Sequence, residues 1–235
     1  MKSVSDDAKS QNAVTDVKTN ADGRQAVNGE KPETARDKIF TTKKIAWAGV
    51  FTALSVILYL FVKFPLPFLF PSFLEVNLSE YPALIGGFAM GPFWGCAIIV
   101  LKTLIKLPFS STACVGELSD LVNGLAFVLV SSLYYNKHRS KKGAVVSLTL
   151  GSLLSIATAV ISNRFAMIPA YMRLFDIDIG VLTNMCSVIP NITTDNFYVF
   201  YILFAVVPFN FLRCATLSVV SMATYKKISV LLNRF

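Results

Sequence analysis

The chain has 235 residues, of which 54% are hydrophobic and only 15% charged, a balance far from that of an ordinary soluble domain. Its formal charge of +8 raises nucleic acid as a partner, but the first 38 residues are charge-balanced and the surplus flanks apolar segments, so membrane topology accounts for it better. No GxxxxGK[ST] phosphate loop, HExxH, GxSxG or paired-cysteine motif occurs, which removes the usual ATP-binding and hydrolytic machinery and gives no sign of an enzyme.

Residues 1–38 are rich in Ser, Thr, Asn, Asp and Lys with almost nothing apolar to bury, so they read as a disordered cytoplasmic tail. No signal peptide precedes the first apolar run. Residues 39–235 read as an all-α domain of six membrane-spanning helices. Lys43-Lys44, the Lys137-to-Lys142 turn and Lys226-Lys227 with Arg234 hold no acid, whereas Glu75, Glu80, Glu117, Asp120, Asp176, Asp178 and Asp195 fall toward the opposite ends. That asymmetry predicts both termini on the cytoplasmic side of the cell membrane.

The first span covers 45–62 and ends before a segment broken by Pro65, Pro67 and Pro71. This segment carries Phe64, Phe68, Phe70 and Phe73, which suits a lid folded back over the bundle better than a solvated linker. The second, 79–91, begins at Ser79-Glu80-Tyr81-Pro82, where Ser or Glu caps and Pro suits the first turn. The third, 93–107, carries Lys102 and Lys106 four apart on one face. Both are short for a lipid-facing helix, a length tolerated where helices line a cavity. The fourth, 116–135, starts with Glu117 and Asp120. The fifth, 144–168, leads into Pro169, Tyr171, Arg173 and a long outer segment, and the sixth, 197–225, is interrupted by Pro208.

Ionisable groups at membrane depth need internal partners or a ligand, so Lys102, Arg164, Arg213, Glu117 and Asp120 mark the place to look for a site. Lys102 or Lys106 pairing with Glu117 or Asp120 explains those four as a structural corner. Arg164 and Arg213, with fewer obvious partners, carry the stronger functional claim, and each lies close after an amide, Asn163 and Asn210. Aromatic residues near the outer ends form an interfacial belt or cover a flat ligand. Cys114 and Cys186 fall in outer loops, which leaves a disulfide between them open; no metal-ligand cluster exists. Small residues four apart, such as Gly49 and Ala53, fit either packing within the bundle or a docking face.

The stretches PSFLEVNLSEYPALIGGFAMGPFWGCAIIVLKTLIKL, STACVGELSDLVNG, NRFAMIPAY and VPFNFLRCATLSVVSMATYKKIS together resemble the S components of energy-coupling factor vitamin importers, most of all the riboflavin-specific type. The resemblance implies a six-helix subunit that captures a vitamin outside and docks on a transmembrane coupling subunit powered by two ATPase subunits. It implies no cofactor, riboflavin or its phosphate FMN being the transported substrate. The family's NxxxxxPxY pattern falls on Asn163, Pro169 and Tyr171, its PFN asparagine on Asn210, and its small-xxx-small docking face on Gly49 and Ala53. A lysine common three residues after the PFN asparagine is here Arg213, a planar fork suited to carboxylate or phosphate. Thr52 and Ser111 are candidate hydroxyl partners for a ribityl tail. The cations leave FMN, pantothenate or a folate open as substrates, and a stand-alone secondary transporter is the reading from outside the family.

Overall fold

The computed structural model describes residues 41–71, 74–110 and 112–232. The tail expected over residues 1–38, Phe73, Ser111 and Arg234 lie outside them. Helix α1 is Thr42–Phe61, and a hairpin of β1 (Lys63–Pro65) and β2 (Glu75–Asn77) follows. Then come α2 (Glu80–Met90), α3 (Pro92–Lys106) and a 3-10 turn at Leu107–Phe109. Helix α4 is Val115–Lys137 and α5 is Lys141–Ser162; α5 runs through a π turn at Asn163–Met167 into α6 (Ile168–Phe175). Helix α7 is Ile179–Met185; α8 (Phe197–Tyr201) passes through a second π turn, Ile202–Val206, into α9 (Val207–Leu232).

Among the described residues five helices are long and apolar enough to cross a membrane: α1, α3 with its 3-10 turn, α4, α5–α6, and α8–α9 as far as Thr224. The six-span expectation therefore meets five long helices and one short one. Helix α2 has eleven residues, roughly 16 Å against a hydrocarbon core of roughly 30 Å. Every residue of it except Tyr81 is buried. Gly95 approaches so closely that a Cβ there would lie 2.9 Å from the Gly87 Cα. The turn between α2 and α3 hinges on Gly91 at φ 106°, a conformation open to glycine, with Pro92 suited to the first turn of α3.

The bundle is apolar outside and buries polar and charged side chains beside its apolar cores. Val50, Leu54, Ile57, Leu153, Ile161, Val199 and Val219 face outward, while Ser55, Glu80, Lys102, Asn123, Ser131 and Arg213 are buried. That is the reverse of a water-soluble domain and the pattern expected in lipid, where polar groups must satisfy one another. One core, with Phe51, Leu84, Phe88, Trp94, Ile98, Phe127 and Leu217, fills the end nearer the basic Lys137-to-Lys142 turn. A second, with Ala159, Ile168, Leu182, Phe197 and Tyr201, fills the opposite end.

Three local features depart from the sequence expectations. The fold is helical but not purely so, since the proline-rich segment closes into an antiparallel hairpin. The long outer segment after α6 holds α7, whose first turn is capped by Asp178 Oδ1 accepting from the Val181 N–H at 2.8 Å. Prolines 169 and 208 do not break their helices. Each sits two residues past a π turn, in which Ile168 N–H donates to Asn163 O and Val207 N–H to Ile202 O. A proline ring strikes the carbonyl four residues back in an α-turn, and the wider turn moves that carbonyl aside. The inserted residue also rotates the helix face by about 100°.

Candidate functional site

A cavity of about 320 Å³ lies between the lid hairpin and the ends of the long helices. Helix α4 supplies Glu117, Ser119, Asp120 and Asn123 from its first turns, and α1 supplies Tyr59 from its last. Asn163, Met167 and Tyr171 line it from the first π-turned helix; Tyr201, Val206, Phe209, Asn210 and Arg213 line it from the second. Leu74, Glu75 and Asn77 close it from the lid. Asp120 is seventeen residues from Lys137 along α4, so the cavity stands roughly 26 Å from the basic turn. Phe70 of the lid packs edge-on against Phe209 at 5.5 Å, which anchors the hairpin to the bundle. Phe64 and Phe68 point outward instead.

The two asparagines share one arrangement. Asn163 Nδ2 donates to Ala159 O at 2.9 Å and Asn210 Nδ2 to Val206 O at 2.8 Å. A carbonyl only accepts, so each contact fixes which way its amide faces. Asn163 Oδ1 then accepts a long bond from the Tyr201 hydroxyl at 3.4 Å. Asn210 Oδ1 is buried with no partner, and so is Arg213 Nε three residues on.

The cations of the site are not free. Arg213 Nη2 bonds Glu80 Oε1 and stands 3.2 Å from Asp120 Oδ1, two carboxylate partners where the sequence offered fewer obvious ones. Lys106 pairs with Glu117 at 3.1 Å across the α3–α4 corner, the structural pairing expected there. Glu117 Oε2 accepts further bonds from Ser110 at 2.6 Å and Thr112 at 3.0 Å. Lys102 is fully buried and donates to Ser79 Oγ at 2.6 Å, and Ser79 donates to Asn77 Oδ1 at 2.6 Å. Ser79 thus joins the lid strand to the bundle; its side chain makes no capping bond on α2.

Of the residues singled out from sequence, Asn163, Asn210, Arg213, Glu117 and Tyr171 line the cavity. Lys102 lies behind its wall. Thr52 is buried on α1 away from the cavity, its hydroxyl unpartnered. Arg164 does not line the cavity, which corrects the functional claim made for it with Arg213: it is exposed, its guanidinium 3.9 Å from the Tyr198 ring centroid, a cation reaching outward along its stem. Gly49 and Ala53 are both exposed on α1, and a Cβ added to Gly49 meets nothing within 4 Å. Cys114 and Cys186 are free thiols, one exposed and one buried, so the disulfide left open is not formed. Sequence reasoning missed Tyr59, Asn77, Asn123, Met167 and Tyr201. The spacing of Asn163, Met167 and Tyr171 by fours was the readable signal for Met167; Tyr59, a hydroxyl at the end of an otherwise apolar span, was another.

Residues 43–225 match the protein family described as ECF transporter, substrate-specific component. A riboflavin transporter, RibU, of Staphylococcus aureus is 26% identical over 192 residues, 82% of this chain and 93% of the relative. A riboflavin transporter, FmnP, of Bacillus subtilis is 29% identical over 132 residues, 55% of this chain and 68% of that protein. The solved S component of a bacterial ECF transporter superposes with a TM-score of 0.62 at 24% identity, over 81% of this chain and 97% of the other; at that identity the likeness bears on the fold. The family match covers most of the chain and the fold agrees with it, so the protein belongs to the substrate-specific components of ECF transporters.

Proposed function

We propose that this chain captures riboflavin from outside the cell and delivers it through a transmembrane coupling subunit driven by two ATPase subunits. One observation carries the substrate: Asn210 Oδ1 and Arg213 Nε are buried, unpartnered and three residues apart on one helix whose side chains line the cavity. An acceptor beside a donor complements an imide edge, where N–H alternates with C=O, and a flavin ring ends in such an edge. Two relatives bear the name riboflavin transporter. The cavity falls within the roughly 300–1,000 Å³ of small-molecule sites.

Charge favours riboflavin over FMN, pantothenate or a folate. Glu75, Glu117 and Asp120 line the cavity against Lys106 and Arg213, and both of those cations already have carboxylate partners. A phosphate ester adds roughly two negative charges, and among the described residues that line the cavity both cations are already paired with carboxylates.

Six crossings with cytoplasmic termini in the cell membrane remain the topology that fits the charges. Helix α2 supports it: Glu80 at its start meets Arg213 below the cavity, and Phe88 near its end stacks at 4.3 Å on Tyr135, two residues from Lys137. It thus carries the chain from the cavity floor to the basic end, beneath the lid hairpin. The exposed Gly49 and Ala53 remain the proposed contact for the coupling subunit. Titrating ligand-depleted protein with riboflavin tests the reading. Saturable quenching of flavin fluorescence is expected, and an unchanged signal would refute it.

A further inference from the structure

A second cavity of about 300 Å³ adjoins the first. Ile168, Phe175, Ile177, Val181, Leu182 and Met185 line it, together with Thr112 and Tyr171. Those last two also line the polar cavity, so they form the wall between the chambers. Thr112 Oγ1 donates to Glu117 at 3.0 Å, and the Tyr171 ring stacks on Phe175 at 5.6 Å and 18°. Past Tyr171 every lining side chain is apolar, whereas the first cavity is edged by amides, carboxylates and hydroxyls.

The order of groups along one helix relates the two chambers. Asn163, Met167 and Tyr171 all line the polar cavity at intervals of four, which spans roughly 12 Å. An amide, a thioether and an aromatic ring follow one another in the direction of the apolar chamber. A flavin has the same gradient: an imide edge at one end of its fused rings and a methyl-bearing benzenoid edge at the other. With its imide edge on the amides, its benzenoid edge lies toward Tyr171.

We infer that the chamber behind Tyr171 is an apolar subsite continuous with the ligand cavity, and that it takes alkyl extensions carried on the benzenoid end of the ligand. The inference rests on the flavin reading above. Among the described residues Tyr171 and Thr112 are the two that line both chambers, so a rotation of Tyr171 joins them. The protein is then strict toward the imide edge, where buried polar groups need partners, and permissive at the opposite end, where the only requirement is apolar volume.

The test titrates ligand-depleted protein with riboflavin and with flavins in which one benzenoid methyl is replaced by methylamino, propylamino or pentylamino. Affinity should stay within about threefold of riboflavin or rise along the series, by up to roughly fourfold for each methylene that becomes buried. Leu182→Trp fills the chamber without touching the polar cavity; it should leave riboflavin affinity within about threefold and weaken the pentylamino analogue at least tenfold. Met185→Trp, at a side chain about half exposed, is the milder variant and decides the matter if Leu182→Trp does not fold. Tenfold loss at the first extension in the unaltered protein overturns the inference, as does an equal loss for every ligand in a folded filling variant. Absence of riboflavin binding itself removes the flavin reading and this inference with it.

Discussion

Asn210→Ala separates a ligand-reading amide from a structural one, because the two roles predict opposite signs. In the unliganded protein the change removes the Nδ2 bond to Val206 O at 2.8 Å, a loss of about 0.5–1.5 kcal/mol. It also removes a buried acceptor that has no partner, which returns about 1–3 kcal/mol. The side chain borders an open cavity, so truncation leaves little new void. Stability without ligand should therefore stay within about 1 kcal/mol of the original or rise. Binding moves the other way. Leaving the ligand N–H unmatched in a dry site costs about 1–3 kcal/mol, or about 5- to 140-fold in Kd at 1.4 kcal/mol per decade. At a riboflavin concentration of 100 times the original Kd the ligand stabilises the unaltered protein by about 2.7 kcal/mol; with Kd raised about thirtyfold the gain falls to about 0.9 kcal/mol. Fluorescence titration and thermal unfolding in detergent, with and without riboflavin, measure both quantities on one preparation. An unchanged Kd together with a loss of more than about 2 kcal/mol in the unliganded protein would make Asn210 a packing residue and refute the reasoning.

Asn163→Ala should also weaken riboflavin binding, about 5- to 50-fold, by the same titration. Arg213→Met strands Glu80 and Asp120 without their cation and should cost about 3–5 kcal/mol of stability, read as a lowered unfolding midpoint; a neutral result would mean those carboxylates find other partners. Replacing exposed Gly49 or Ala53 by Leu should spare riboflavin affinity and reduce copurification with the coupling subunit, and lost affinity would end the docking assignment. An impermeant maleimide on intact cells should label exposed Cys114 and not Cys186, whose burial pushes its thiol up to about 12; an impermeant amine reagent should reach the Lys137-to-Lys142 turn only after permeabilisation.

The sequence made the helices legible because a bilayer demands long apolar runs, and it made the basic end legible because Lys43-Lys44 and the Lys137-to-Lys142 turn hold no acid. The amides were legible through their motifs. Less visible were the faces. A π turn ahead of each proline rotates the rest of the helix by about a residue, so a strict count by 3.6 loses its register past Asn163 or Ile202. Arg213 was read as having fewer obvious partners, with Glu80 considered as a cap of α2; the carboxylate instead turns inward to it from a helix 133 residues away in sequence. Lys102 and Arg164 illustrate the same limit in opposite directions. One is drawn behind the cavity wall by Ser79, the other outward onto Tyr198, and a membrane-depth charge alone distinguishes neither from a ligand contact.

The buried ions are better explained by the cavity than by stability. A buried ion pair roughly breaks even against apolar packing of the same volume, so stability alone gives no reason to place Arg213, Glu80, Asp120, Lys106 and Glu117 inside a bundle that could be filled with leucine. A binding cavity, however, is a place where packing is withheld, and the elements around it need some other tie. Arg213 joins α9 to α2 and α4, Lys106 joins α3 to α4, and the Lys102–Ser79–Asn77 relay joins α3 to the lid strand. Each tie is directional, and three residues that line the cavity keep an unpartnered buried atom: Asn123 Oδ1, Asn210 Oδ1 and Arg213 Nε. Walls held by ion pairs and a few lining groups left unsatisfied are what a site needs in order to stay open for a neutral, polar-edged ligand.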